Sequence, residues 1–248
     1  MSLKIIDTGG IGGFSLQQTS TNGSFMVIVS QSQSPQIVSD GLTLQLDAGN
    51  SSSYGGSGTT WTDIAGTSQN ITLVNSPIYT SGIPAYFTFN GLTQRGSGSG
   101  NVLSPTTYTK SVWFYLNAYA DNNLVSSETG GHYIFFGGGT KIYAGHSNWA
   151  GFPYNLQSTT TFSLSTWYNA TITFNTTDGM KLYVNGILDK TYTTIKTAYT
   201  GNGSTNVASY GAGNLLNGRI SKVYCYNRSL TDIEVLQNYN VDKSQFGL

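Results

Sequence analysis

Acid–base and nucleophilic chemistry have few groups to work with in this chain. It holds two glutamates, Glu128 and Glu234. Glu234 closes the run Thr231-Asp-Ile-Glu234, in which a hydroxyl can accept from the backbone N–H three residues on and the carboxylate can reach back. That is a helix cap rather than a catalytic acid. Glu128 lies in the polar stretch Ser126–Gly130. Glycoside hydrolysis needs two carboxylates at a fixed separation, and this pair does not suggest one. No nucleophile elbow, P-loop or H-E-x-x-H occurs. His132 and His146 stand fourteen positions apart with no Cys or carboxylate cluster beside them. No catalytic residue and no metal site is expected.

Sugar binding asks for less: an exposed aromatic ring beside amide groups. The loop Gly145-His-Ser-Asn-Trp-Ala-Gly-Phe-Pro-Tyr154 offers that set. His146, Asn148, Trp149 and Tyr154 would stack on and hydrogen-bond a pyranose. The alternative is that Trp149 and Phe152 pack beneath the loop as a small cluster of their own. Calcium needs six to eight oxygens, for which Asp47, Asp63, Asp121 and Asn90 are the candidates; Asp47 and Asp63 read better as turn caps. No cofactor is expected. Trp61, Trp113 and Trp167 sit in strand-like runs and are expected to pack in the sheets.

Composition narrows the partners. Of 248 residues, 9% are charged and 38% hydrophobic, against about 25% charged in an ordinary soluble domain. The surface must then be Ser, Thr, Asn, Gln, Gly and Tyr, which suits a protein facing glycans or neighbouring subunits. Net charge is zero and no basic run occurs, so nucleic acid is not an expected partner. No apolar run approaches the ~20 residues of a membrane span. The start, Met1–Asp7, lacks the apolar core of a secretory signal. The expectation is a protein that is cytosolic, or assembled inside a cell and released by lysis. Cys225, the single cysteine, reads as a buried inert thiol.

The elements that would position these groups are strands. Trp167–Tyr192 holds three alternating apolar and polar runs joined at Asp178-Gly179 and Asn185-Gly186, an antiparallel meander with Ile172, Phe174, Leu182 and Val184 on its buried side. Lys110–Leu116 is the densest aromatic strand, with Val112, Phe114 and Leu116 on one face. In Asn217–Tyr226, Ile220 together with Val223 or Tyr224 turns inward according to register. A helix starts at Thr231, with Ile233, Leu236 and Tyr239 expected against the sheet and an end near Tyr239–Asn240. Residues 1–40, with Gly9–Gly13 and Ser30–Pro35 flanking the strand-like Ser24–Val29, read as an arm of one strand and linker; the main domain is expected over 41–248.

The order of motifs adds a resemblance. G-L-x-L-x-L-D-A-G-N, T-x-W-x-D, F-x-F-N-G, S-V-W-F, W-Y-N-A-x-I-T-F and L-Y-V-N-G precede a closing N-G-R-I-S-K-V-Y-x-Y-N-R-x-L-T-D-I-E-V-L-Q-N-Y-N. Over residues 41–243 this resembles the concanavalin A-like, laminin G-like jelly-roll superfamily, and within it lectin-like domains of bacteriophage structural proteins. The resemblance implies an all-β fold of two packed antiparallel sheets with a short C-terminal helix. Relatives often bind calcium, but Asn90 stands where the family often carries Asp, which counts against a site there. The E-x-D-x-x-E of the retaining glycosidases on this scaffold is missing. The implied function is a non-enzymatic virion protein, in capsid decoration, neck, tail or fibre. Its partners would be other virion proteins or its own copies, held through residues 1–40, and host cell-surface glycans. The alternatives are a free-standing lectin and a glycosidase.

Overall fold

The structure is a computed structural model that describes residues 35–100, 102–103, 105–127, 131–146, 156–195, 197–198 and 203–248, with the backbone of 15–18, 25–28 and 155. Among these residues the strands are β1 Ser15–Gln18, β2 Phe25–Ile28, β3 Leu42–Asp47, β4 Thr60–Trp61, β5 Ile71–Val74, β6 Ile78–Thr80, β7 Tyr86–Asn90, β8 Arg95–Gly98 and β9 Tyr108–Leu116. They continue as β10 Asp121–Ser127, β11 His132–Gly137, β12 Ile142–His146, β13 Asn155–Gln157, β14 Trp167–Asn175, β15 Gly179–Val184, β16 Ile187–Tyr192, β17 Thr205–Val207 and β18 Asn217–Tyr226. Helix α1, Asp232–Asp242, and a 3-10 turn at Lys243–Phe246 close the chain.

Two units divide at Gln36/Ile37. In the first, β1 and β2 pair antiparallel with Ser15 opposite Ile28, so two strands stand where one was expected. The second unit holds the sandwich, and it already includes residues 37–40: Tyr226 donates to the Val38 carbonyl and the Val38 N–H donates to Asn238. One sheet runs β13-β12-β11-β10-β17-β8-β5-β4; the other runs β16-β15-β14-β9-β18-β7-β6, with β3 also paired to β18. We refer to them as the β10 sheet and the β9 sheet. The expected jelly-roll sandwich with its short terminal helix is what the chain forms.

Alternation along the strands fills the space between the sheets. Val112, Phe114 and Leu116 point inward from β9, Ile172 and Phe174 from β14, and Ile134, Phe136, Ile142 and Ala144 from β11 and β12. The Asn185-Gly186 turn has positive φ at both residues, 50° and 74°, which matches the twist of a two-residue hairpin. A Cβ on Gly186 would also meet the Tyr239 ring at 2.9 Å. A bulge in β18 between Ile220 and Lys222 flips the strand's parity. Ile220 and Val223 therefore both face the core and Tyr224 faces out.

The outer face of the β9 sheet is covered as well. Trp113, Tyr183, Tyr224 and Tyr226 lie there under Leu230, Val235 and Phe246. Phe246 stacks on Trp113 at 3.9 Å between centroids and 4° between planes. Lys222 Nζ reaches Asp242 at 2.7 Å and Asp47 at 3.0 Å, and the Tyr224 hydroxyl donates to Asp242 at 2.9 Å. This polar contact turns the helix away from the expected face. Val235, Asn238 and Asp242 are buried, whereas Ile233 is 79% exposed and Leu236 is exposed too. The helix also runs past Asn240 to Asp242 for the same reason, since Asp242 is the partner Lys222 needs. The capping box forms as expected, with the Thr231 hydroxyl accepting from the Glu234 N–H and Glu234 reaching back.

Asp242→Ala should lower stability by about 3 kcal/mol, because it leaves a buried ammonium with only the partly exposed Asp47. The reading is a lower urea midpoint at unchanged slope.

Candidate functional site

The four residues of the expected sugar loop separate. Asn148, Trp149 and Tyr154 lie outside the described residues. His146 is the last residue of β12 and is 0% exposed. It faces inward because β12 alternates Ile142, Ala144, His146 toward the core, so it cannot form part of a surface platform.

What His146 does instead is anchor a buried polar cluster. Its Nε2 lies 2.8 Å from the Thr197 carbonyl, which can only accept. Nε2 therefore carries the proton, and Nδ1 accepts from the Tyr108 hydroxyl at 2.8 Å. Cross-strand from it, His132 Nδ1 meets Lys110 Nζ at 2.6 Å. Lys110 also lies over the Tyr108 ring at 4.0 Å. Burial pushes the Lys110 ammonium well below its ordinary range. Burial, with Lys110 nearby, lowers His146 to about 4 despite the Thr197 bond, which favours its charge. Cys225 is buried and its thiol is pushed up to about 12, an inert form.

The carboxylates weighed for calcium are engaged otherwise. Asp63 accepts from the N–H groups of Gln45, Ala65 and Gln69 and from Thr67; these bonds outweigh its burial and hold it below its ordinary range. Asp47 pairs with Lys222, and Asn90 caps the N–H groups of Leu92, Thr93 and Gln94. Among the described residues no group of three His, Cys, Asp or Glu side chains could hold a metal ion. Glu128 lies outside the described residues, and Glu234 forms a fork with Arg228 at 2.6 and 3.0 Å.

A different aromatic surface is built on the outer face of the β10 sheet. Phe135 and Tyr143 alternate with the core residues and are directly opposite each other across β11 and β12. Their rings stack at 5.3 Å and 24° and stay half-buried. Pairing carries the same row sideways to Asn123 on β10 and Gln157 on β13. Gln157 donates to the Tyr143 hydroxyl at 2.7 Å, which orients the ring. Asn123 is 3% exposed. One step along, the exposed Asp121 faces Gly137, and its carboxyl is raised by partial desolvation. A Cβ on Gly137 would touch both rings, at 3.6 and 3.7 Å, so its hydrogen leaves a trough along their edge. Two flat rings flanked by amides and a carboxylate form the pattern that holds a sugar ring. Sequence reasoning passed over it because H-Y-I-F-F and K-I-Y-A read as ordinary alternation; the signal was the aromatic residue at the solvent-facing position of each strand.

Fold and platform together define a lectin-like β-sandwich. The family profile described as the concanavalin A-like lectin/glucanases superfamily matches residues 89–236, more than half of the chain, and the chain belongs to that superfamily. Similar solved structures include the binding domain of Paraclostridial mosquitocidal protein 1, at 17% identity and TM-score 0.65, covering 82% of this chain and 52% of that one. The binding domain of botulinum neurotoxin DC, in complex with rat synaptotagmin II, is similar at 14% identity and TM-score 0.62, covering 83% and 52%. Domain 4 of AbnA, an arabinanase from Geobacillus stearothermophilus in complex with arabinotriose, is similar at 17% identity and TM-score 0.63, covering 80% and 98%. The chain thus spans about half of each toxin binding domain and nearly all of the arabinanase domain. At these identities the likeness speaks for the fold. No curated protein sequence matches.

His146 makes a pH prediction. Folded, it stays neutral down to about 4, while its ordinary value is 6.5. The unfolded chain therefore binds the extra proton between those values, and stability falls as pH falls through that window, by ~3 kcal/mol in total. His146→Gln should flatten the urea midpoint between pH 6.5 and 4.5 relative to wild type; an unchanged slope would show that the buried ring is not neutral.

Proposed function

We propose that this chain is a non-catalytic glycan-binding jelly roll carried on a bacteriophage particle. Phe135 and Tyr143 stack on the C–H face of a pyranose, while Asn123, Gln157 and Asp121 hydrogen-bond its hydroxyls. The observation that carries the reading is the pair of stacked, half-buried rings Phe135 and Tyr143, flanked in the same cross-strand row by Asn123 and Gln157. The oligosaccharide bound to the arabinanase domain and the gangliosides named for a botulinum type C neurotoxin support a saccharide as the ligand class. The loop 147–154 joins β12 to β13, the strands that bear Tyr143 and Gln157. We place Asn148, Trp149 and Tyr154 in the same binding region on that ground.

The placement on a particle rests on the phage-like motif series from Gly41 to Asn240 and on the separate unit Met1–Gln36. Partners there are other virion proteins or copies of the chain itself. Assembly takes place in the host cytoplasm and release follows lysis.

Two measurements test this. On a glycan array the wild type should retain at least one glycan, and Tyr143→Ala or Phe135→Ala should weaken it roughly tenfold or more, since each removes a stacking face. Retention equal to wild type in both variants would remove the platform. Mass spectrometry of purified particles should find the chain in stoichiometric amount; its absence leaves a free-standing lectin.

A further inference from the structure

On the outer face of the β9 sheet, beyond the edge of the helix, one cation stands without an anion. Arg219 projects from β18, opposite Tyr115 of β9 and Thr88 of β7. Its guanidinium carbon lies 4.3 Å from the Tyr115 ring centre and 4.8 Å from that of Tyr86. Trp167, opposite Tyr115 on β14, closes the group at 5.6 Å from both tyrosine rings. All four side chains are half-buried. Arg219 forms no ion pair or hydrogen bond among the described residues, and its Nε is buried without a partner. The hydroxyls of Tyr86 and Tyr115 and the indole N–H of Trp167 are likewise unengaged there. Three other cations on this face are paired: Lys222 with Asp242 and Asp47, Arg228 with Glu234 and Asp40, Lys181 with Asp232.

We propose that this group is a second ligand site, specific for the carboxylate of an acidic sugar. Both rings lie against the guanidinium, at 4.3 and 4.8 Å from its carbon, and its N–H edge is the part that can meet an acceptor. That edge donates in a fork that fits a planar carboxylate in two parallel bonds. The hydroxyls of Tyr86 and Tyr115 add neutral donors beside the fork. Trp167 and Ile78, the latter 63% exposed and one ladder step beyond Thr88, supply the flat apolar surface that the carbon face of a sugar needs. In a chain of 9% charged residues, a guanidinium kept unpaired and shielded is held ready for a charge that arrives with the ligand. The site lies on the opposite sheet from Phe135 and Tyr143 and does not depend on them.

The test is titration calorimetry of the whole chain with glucuronate and N-acetylneuraminate, and with glucose, methyl glucuronate ester and inorganic phosphate as comparisons. At least one of the two acids should bind, with glucose and the ester about tenfold weaker or worse, as expected for loss of a charge-assisted pair. Raising salt should weaken the acid. Arg219→Lys keeps the charge but not the fork and should lose about tenfold, in the wild-type background and equally in a Tyr143→Ala background, where the other sheet's rings no longer contribute. Equal binding of acid and ester by the wild type overturns the proposal and needs no variant to fold. So does binding of phosphate as tight as either acid, wild-type affinity in Arg219→Lys, or no acid bound at all. A peptide C-terminal carboxylate that outcompetes both sugars also overturns it.

Discussion

The central strands of one sheet, β9 and β18, are buried on both faces over most of their length, and most of the molecule's asymmetry follows from that. Strands β9 and β18 face the core with Val112, Phe114, Ile220 and Val223, and face outward with Trp113, Lys222, Tyr224 and Tyr226. An outer face with a lysine and two phenols cannot be closed by an apolar helix. It needs acceptors, and α1 brings Asp242 to Lys222 and Tyr224, and Asn238 to Tyr226. A buried ion pair adds little net stability of its own, but it sets the rotation of the helix, and stacking of Phe246 on Trp113 then fixes its end. The β10 sheet has no such helix among the described residues, which leaves its outer rings to solvent.

The interior carries its own constraint. Lys110, His132, His146 and Tyr108 occupy positions that alternation assigns to the core, and they satisfy one another across β9, β11 and β12. A lysine whose ammonium is disfavoured by burial and an imidazole locked in one tautomer make a polar core that costs more in acid. Surface electrostatics is correspondingly thin: the pairs formed by Lys181 with Asp232 and by Arg228 with Asp40 are largely exposed and contribute little.

Much of the architecture was legible from local rules. The Asn185-Gly186 turn, the strand faces around Val112 and Ile172 and the Thr231–Glu234 cap depend on residues close in sequence. The errors came where distant partners decided. Ile233 and Leu236 have helical spacing, yet Asp242 and Asn238 face the sheet because Lys222 and Tyr226 wait there. His146 borders a Gly- and Trp-rich loop, yet the parity of β12 turns it inward. Phe135 and Tyr143 lie eight residues apart in sequence, and only the register of β11 on β12 stacks them. The Arg219 group draws from β7, β9, β14 and β18 together, so no window of the sequence contains it.

β18 is shared in an unusual way. Its first half pairs with β7 and its second half with β3 on the same side, while β9 runs along the other. The chain enters this unit at Ile37, tied at Val38 to Tyr226 and Asn238 just before β3 begins. Tension applied from the N-terminal side is therefore borne first by those two bonds and then by the β3–β18 ladder. β7 and β9 grip the rest of β18 and stay unloaded until β3 has peeled away. Load entering at Ile37 is thus met at one strand of the β9 sheet, on the sheet opposite the one that bears Phe135 and Tyr143.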